Sequence, residues 1–371
     1  MVVYDLVVLG GGSGGSACAR RAADYGQKVM IIDKGPTRDA KGNRTGAGFG
    51  GTCVNVGCVP KKIMYFAASQ RESMVGHVAT AAGFGISVPE GAGSVDWPAL
   101  KARRDKYVAS LNVSYENNWK KAGIEVVMGE ASLVSADTVR VIDRDGERQV
   151  KAKKILVAVG GVPSSPSIPG SELAIDSDGF FDLEKQPKKV AVIGAGYIAV
   201  EMAGIFHGLG SETHLFFRGS TVLRHGFDPY IVETLMDELK THGPALHANS
   251  TPARLERAAD GTKTLVVQDA AGKEVAHKGF DCVLMATGRK PSTRGLGLEM
   301  AGTAPSPFYP VAHAHAGTRA GARPSAHALA TASDESVRHA PCMARGVCSH
   351  VPLCEPHGRC EDEQIGLHRS G

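Results

Sequence analysis

Cys53 and Cys58 stand five residues apart in the run Gly50-Gly51-Thr52-Cys53-Val54-Asn55-Val56-Gly57-Cys58-Val59-Pro60-Lys61-Lys62. With Pro60 in what reads as a first helical turn, thiols at this spacing can close a disulfide, and a helix N-terminus would favour one of them as thiolate. A structural crosslink is one reading of the pair. The glycines around it and a nucleotide motif ahead of it favour the other, a dithiol that cycles electrons next to a bound cofactor.

The nucleotide motif spans residues 2–33, which read as strand, glycine turn, helix and strand. Gly10, Gly12 and Gly15 make G-x-G-x-x-G, with Ser13 and Gly14 between them, and Asp33 closes the second strand. The first glycine permits a tight turn, the second lets backbone N–H groups approach a pyrophosphate, and the third lets helix pack on strand. Asp33 is placed to take ribose hydroxyls. A second copy follows Lys189-Val190-Ala191-Val192-Ile193, where Gly194 and Gly196 precede Tyr197, Ile198 and Glu201. At the end of its second strand an NAD site would carry a carboxylate. This chain offers Arg218 and Arg224 instead, which suits a 2′-phosphate and favours NADPH, unless both arginines merely face solvent.

These motifs require α/β elements in two Rossmann-like domains, the second inserted in the first. The first domain runs over residues 1–160 and is interrupted by a helical stretch, roughly 53–122, that carries the cysteines. Ile155 to Gly161 reads as a buried strand ending on glycines, and Pro163, Pro166 and Pro169 as an extended linker. The second domain covers 161–290 and closes on Cys282 to Arg289, and 291–303 begin a return to the first. A chain of 371 residues with 43% apolar side chains can build more than one core. Its formal charge of +4, without a basic run, makes nucleic acid or a membrane surface an unexpected partner. No segment is apolar enough to span a bilayer, and the first strand begins at Val2, so a leader is not expected and a reducing compartment, the cytoplasm, is.

The first 300 residues resemble the class I flavin-dependent pyridine nucleotide-disulfide oxidoreductases. The run Gly51 to Lys62 is similar to that of the branches acting on glutathione, trypanothione and thioredoxin. The segment from Asp96-Trp97-Pro98 through Tyr107, Leu111-Asn112, Tyr115 and Asn117-Asn118 is similar to the one lining the glutathione disulfide cleft. The resemblance implies FAD in the first domain and NADPH in the second, with hydride passing to flavin N5 and electrons on to the disulfide. In that scheme Cys58 faces the flavin and Cys53 attacks glutathione disulfide. Lys61 would sit beside N5, paired with Glu201, and Tyr197 would cover the nicotinamide pocket. Gly51, Thr52, Gly160, Ile198, Gly288 and Arg289 fall at cofactor-binding positions. Ser13, Arg20 and Tyr115 fall at glutathione-contacting ones, with Arg20 disfavouring the cationic trypanothione.

The resemblance ends near Gly302-Thr303. The family's continuation holds the flavin ribityl chain, then forms a homodimer interface whose His-Glu pair is the acid-base catalyst. Residues 304–371 show neither, and read as a disordered or out-of-register tail without lysine, leaving an unfilled edge on the first domain. Cys342, Cys348, Cys354 and Cys360 recur there with His339, His350 and His357 between them. Their spacing fits no common zinc pattern, so no metal is expected. Two functions follow: a disulfide reductase for glutathione, or for thioredoxin or trypanothione, and a non-catalytic fragment binding NADPH at most.

Overall fold

The computed structural model describes residues 2–40, 42, 44–223 and 226–302 and the backbone of 312–315. Arg224 and the tail cysteines and histidines named above lie outside the described residues.

The first strand, β1 (Val3–Leu9), is apolar on both faces: Val7 joins one core cluster and Val8 another. That is the pattern of a strand at the centre of a parallel sheet. Helix α1 (Ser13–Asp24) and β2 (Val29–Asp33) follow, and β2 pairs parallel with β1 through Leu6↔Val29 to Leu9↔Ile32. Next come a short helix α2 (Gly51–Asn55), the long α3 (Cys58–Ala81) and α4 (Trp97–Lys121), which Asp96 caps by accepting from the Ala99 N–H. The helical stretch expected over 53–122 is therefore three helices, and Cys53 and Cys58 occupy different ones. A largely exposed segment, 82–96, separates α3 from α4.

Three longer strands complete the sheet: β3 (Glu125–Leu133), β4 (Thr138–Asp143) and β5 (Gly146–Val157). β3 pairs parallel with β2 through its first half and antiparallel with β4 through its second, while β5 runs from β4 to β1. Strand order reverses at β1, with β2 on one side and β5 on the other. Crossover connections leave a crevice at the carboxyl ends of strands at such a point. The far side of β5 is not unfilled, as the sequence suggested. A short strand at 312–315 pairs antiparallel with Lys154–Val157.

β6 (Gly161–Pro163) leads out of this sheet. β7 (Ile175–Asp176), β8 (Lys189–Ile193), helix α5 (Tyr197–Gly208), β9 (Glu212–Phe216), helix α6 (Pro229–His242) and β10 (Ala245–His247) then build most of a second parallel sheet. An antiparallel sheet of β11 (Thr251–Arg257), β12 (Lys263–Gln268) and β13 (Glu274–Phe280) covers one face of it, and β14 (Cys282–Met285) supplies the strand beside β8. The second sheet runs β10-β9-β8-β14-β7. Exit and return are clasped together: β15 (Arg289–Pro291) pairs antiparallel with β6. Gly161–Pro163, expected as part of an extended linker, is one half of this clasp. Beyond it Leu296 and Leu298 re-enter the core of the first sheet beside Leu133, Val139 and Val141. The strand labelled β16 is Ala312–His315.

Helices α1 and α5 begin on Gly12 and Gly196 with no side-chain cap, whereas α4 and α6 begin on Asp-capped turns. Uncapped N-termini leave donors and positive dipole ends for a ligand. No helix among the described residues is long and apolar enough to cross a membrane.

Candidate active site

Glycine shapes the first turn of the site. Gly10 has φ +105°, and a Cβ there would stand 2.3 Å from the Ala158 carbonyl oxygen; at Gly15 it would stand 1.9 Å from the Gly10 carbonyl oxygen. These contacts require glycine for backbone packing. Gly12 and Gly14 are different: a Cβ at Gly12 comes no closer than 3.7 Å to Gly51 Cα, and one at Gly14 meets nothing within 4 Å. Their missing side chains keep space open before the α1 N-terminus. Asp33 braces the turn, its Oδ2 accepting from the Gly11 N–H at 2.7 Å and its Oδ1 from the Gly35 N–H at 2.8 Å. Each oxygen keeps a lone pair for a hydroxyl.

Gly51, at φ +66°, lies against this turn and brings the cysteine segment with it. Cys53 sits within α2 and Cys58 opens α3, both as free thiols. For Cys53 the shift runs upward. Burial pushes its thiol up to about 11, a hydrogen bond to Cys58 and the charge of Cys58 add to this, and Lys61 opposes it. From α3 the Lys61 Nζ reaches Glu201 Oε1 on α5 at 2.8 Å. Their side chains are 28% and 36% exposed, half-buried rather than sealed. One turn before Glu201, Tyr197 is 57% exposed.

A single cavity of about 910 Å³ joins these parts. Its walls include Gly10, Gly12, Ser13, Gly14 and Asp33, then Gly51, Thr52, Cys53, Cys58 and Lys61, then Tyr197, Ile198 and Glu201, with Gly160 and Arg289 at the β6–β15 clasp. Other expected residues lie elsewhere. Gly15 is buried within α1, and Gly194, Gly196 and Gly288 shape backbone outside the cavity. A Cβ at Gly194 would stand 2.3 Å from the Ala286 carbonyl oxygen. Arg218 is exposed just past β9, where no hydrogen bond or ion pair holds it among the described residues. Arg20 is exposed on α1. It nevertheless belongs to a group: burial and the charge of Cys53 raise the Tyr115 hydroxyl, while Arg20 pulls it down. Cys53 and Arg20 are thus each within electrostatic reach of Tyr115.

The chain matches the family model described as pyridine nucleotide-disulphide oxidoreductase over residues 4–305. It belongs to that family. Its relatives include a glutathione reductase of Schizosaccharomyces pombe, 46% identical over 304 residues, covering 81% of this chain and 61% of the relative. A glutathione reductase of Yarrowia lipolytica is 43% identical over 304 residues, covering 80% and 60%. The chain therefore spans about three fifths of the length of these curated relatives.

Membership in the family raises the question whether this cavity suits a flavin dinucleotide, and two buried atoms bear on it. The Nε of Arg44 and the Nε of Arg140 have no hydrogen-bond acceptor, and both residues line the cavity. Buried N–H groups normally find an acceptor, so these walls lack oxygens that a dinucleotide carries. Sequence reasoning missed both arginines, and also Asp178. Arg289 approaches Asp178 Oδ1 at 3.5 Å, donates to the Gly161 carbonyl and reaches Thr52 Oγ1 at 3.4 Å. Burial raises the Asp178 carboxyl, and Arg289 counters it. The run Ser177-Asp178-Gly179-Phe180-Phe181 has no helical or strand period, so it carried no signal. Among the described residues no group of three metal-ligating side chains could hold a metal ion.

Proposed function

We propose that this chain is the nucleotide-binding part of an NADPH-dependent flavoprotein that reduces glutathione disulfide. Residues 1–160 would form the FAD-binding domain with the Cys53-Cys58 couple, and 161–290 the NADPH-binding domain. One observation carries the reading: the phosphate turn, both cysteines and the Lys61–Glu201 pair line the same cavity. The two curated relatives, both glutathione reductases, support the choice of substrate.

Bound in the cavity, FAD would supply the relay that takes two electrons and a proton from NADPH and hands the electrons to a disulfide. Gly12, Ser13 and Gly14 would present the α1 N-terminus to its diphosphate, and Asp33 would accept from its ribose hydroxyls. Lys61, held by Glu201, would place an ammonium at the redox end, favouring negative charge there. Tyr197 can swing aside for a nicotinamide, because its ring is largely exposed. Arg218 offers an uncommitted guanidinium for a 2′-phosphate.

At the couple, reduction breaks the Cys53–Cys58 bond. Cys53 then gives up its proton as its sulfur attacks one sulfur of glutathione disulfide; that S–S bond breaks, and the first glutathione leaves and takes up a proton. Cys58 attacks the mixed disulfide at the Cys53 sulfur, which restores the Cys53–Cys58 bond and releases the second glutathione. Arg20 suits a glycyl carboxylate and Tyr115 a neighbouring contact, with Tyr115 within electrostatic reach of both Cys53 and Arg20. An exposed Cys58 that cycles between thiol and disulfide suits a reducing compartment, the cytoplasm.

The test is an absorption spectrum of the purified chain before and after anaerobic NADPH. The expected protein is yellow, its flavin band bleaches on addition, and absorbance appears at longer wavelength in wild type but not in Cys58→Ser. Colourless protein that takes up no added FAD overturns the reading.

A further inference from the structure

Between β2 and α2 the chain forms a closed loop that nothing so far has used. The Thr45 N–H donates to the Thr37 carbonyl at 2.8 Å, the Thr37 N–H to the Gly46 carbonyl at 3.2 Å, and the two threonine hydroxyls meet at 2.9 Å. Beyond them Arg38 and Arg44 form an antiparallel bridge. A Cβ at Gly46 would stand 2.3 Å from the Gly35 carbonyl oxygen, so the loop base tolerates no side chain there. The loop is a small hairpin, and its second arm delivers Arg44 to the cavity wall.

Arg44 is held from outside. Its Nη2 lies 2.9 Å from Asp182 Oδ1, and Arg38 Nη2 lies 2.8 Å from Oδ2 of the same carboxylate. One carboxylate thus serves two guanidinium groups. The Arg44 side chain is only 17% exposed, and its Nε is buried without an acceptor. Its charge is felt at Asp178, the partner of Arg289, and Arg289 in turn reaches Thr52. Arg44 therefore sits on the cavity wall near Asp178, whose partner Arg289 reaches Thr52. Arg140, the other arginine with an unpartnered Nε, differs: its Nη2 has Glu147 to itself at 2.8 Å, and it is 42% exposed. A buried guanidinium N–H donor without an acceptor, on a cavity wall, suits an anionic oxygen.

We propose that Arg44, positioned by Asp182, binds the diphosphate of the dinucleotide in this cavity, which makes the arm 44–48 part of the cofactor site. The proposal rests on the reading of the cavity as a flavin site. Arg44 supplies the Nε–H to a phosphate oxygen, while Asp182 holds the far side of the guanidinium and acts as a positioning residue.

The full chain, stripped of flavin and titrated with FAD by fluorescence quenching, tests this. Arg44→Gln is expected to weaken FAD about tenfold and to weaken ADP as a competitor by a similar factor. Adenosine as a competitor and NADPH binding should stay within twofold. Asp182→Asn should weaken FAD less, and Arg44→Lys should recover part of the loss. FAD affinity within twofold of wild type in Arg44→Gln overturns the proposal. Equal losses for ADP and adenosine overturn it too, since a diphosphate contact cannot affect adenosine. A joint fall of FAD and NADPH affinity with thermal stability would show a merely structural role and overturn it as well. Wild-type chain that binds neither FAD nor ADP overturns the flavin reading itself, an outcome separate from any result on Arg44.

Discussion

Cys53 shows how far a motif carries at the level of single residues. Spacing in the sequence set it with Cys58, and the structure has the two as free thiols in hydrogen-bond contact. What spacing could not reveal is that Cys53 lies inside α2, partly buried, so its thiol rises to about 11. A group whose acidity is lowered by burial stays protonated through the neutral range. In dithiol-reduced chain, Cys53 alkylation by iodoacetamide is therefore expected to keep accelerating up to about pH 11. A rate that levels off near pH 9, followed by mass spectrometry of the Cys53 peptide, would remove the burial argument. The same limit hid Arg44 and Asp178. Each stands in a stretch without period or glycine fingerprint, and only the folded chain shows that one cavity collects them.

Among elements, the sheets were the most legible part, because β1, β2, β8 and β14 are runs of Val, Ile and Leu next to glycines whose φ values are positive. Helices α2 to α4 were read as one stretch because the break at 82–96 has helix-compatible residues at both ends. The second parallel sheet also contains an arrangement that sequence could not show. Here β10 and β13 bring His247 and His277 against His214 of β9: His214 Nδ1 lies 2.9 Å from His247 Nε2, and His247 stacks on Phe216 with ring centroids 4.2 Å apart. Glu212 accepts from or pairs with the outer His214 nitrogen at 3.0 Å, and Lys189 lies near His277. Burial, then the neighbouring imidazoles, lower His247 to about 4; burial first, then His214 and Lys189, lower His277 as well. Between pH 6.5 and 4 the unfolded chain therefore binds more protons than the folded one, and stability falls as pH falls. His247 is half-buried and water screens part of the effect, so the loss at pH 5 relative to pH 7.5 should be about 1–2 kcal/mol. Urea unfolding at the two pH values checks it. His247→Gln, neutral throughout, should show a shallower slope than wild type.

Across the whole molecule, the two parallel sheets are locked through the helices that carry the chemistry. Met64 and Ala68 of α3 share one core with Met202 and Phe206 of α5, and Trp97 joins them from the start of α4. A Cβ added at Gly208 would stand 2.9 Å from Ala68 Cβ, so α3 and α5 approach as closely as glycine allows. This packing fixes the 2.8 Å reach from Lys61 to Glu201, which no local sequence signal on either helix could have set. Trp97 is the keystone of that contact: it is buried, lies parallel to Phe206 at 6.4 Å and edge-on to Phe180 at 6.2 Å, and donates its indole N–H to the Leu183 carbonyl at 2.8 Å. Trp97→Ala removes the ring and leaves that carbonyl without its donor, and large-to-small changes of this kind cost about 3–5 kcal/mol. Because the lost contact lies between the sheets, its effect should reach the Lys61–Glu201 pair before either sheet melts. Flavin release on warming is expected to precede loss of far-ultraviolet circular dichroism in Trp97→Ala, and to coincide with it in wild type. If release and unfolding stay coincident in the variant, the helices do not couple the two sheets in this way, and Trp97 stabilises only its own neighbourhood.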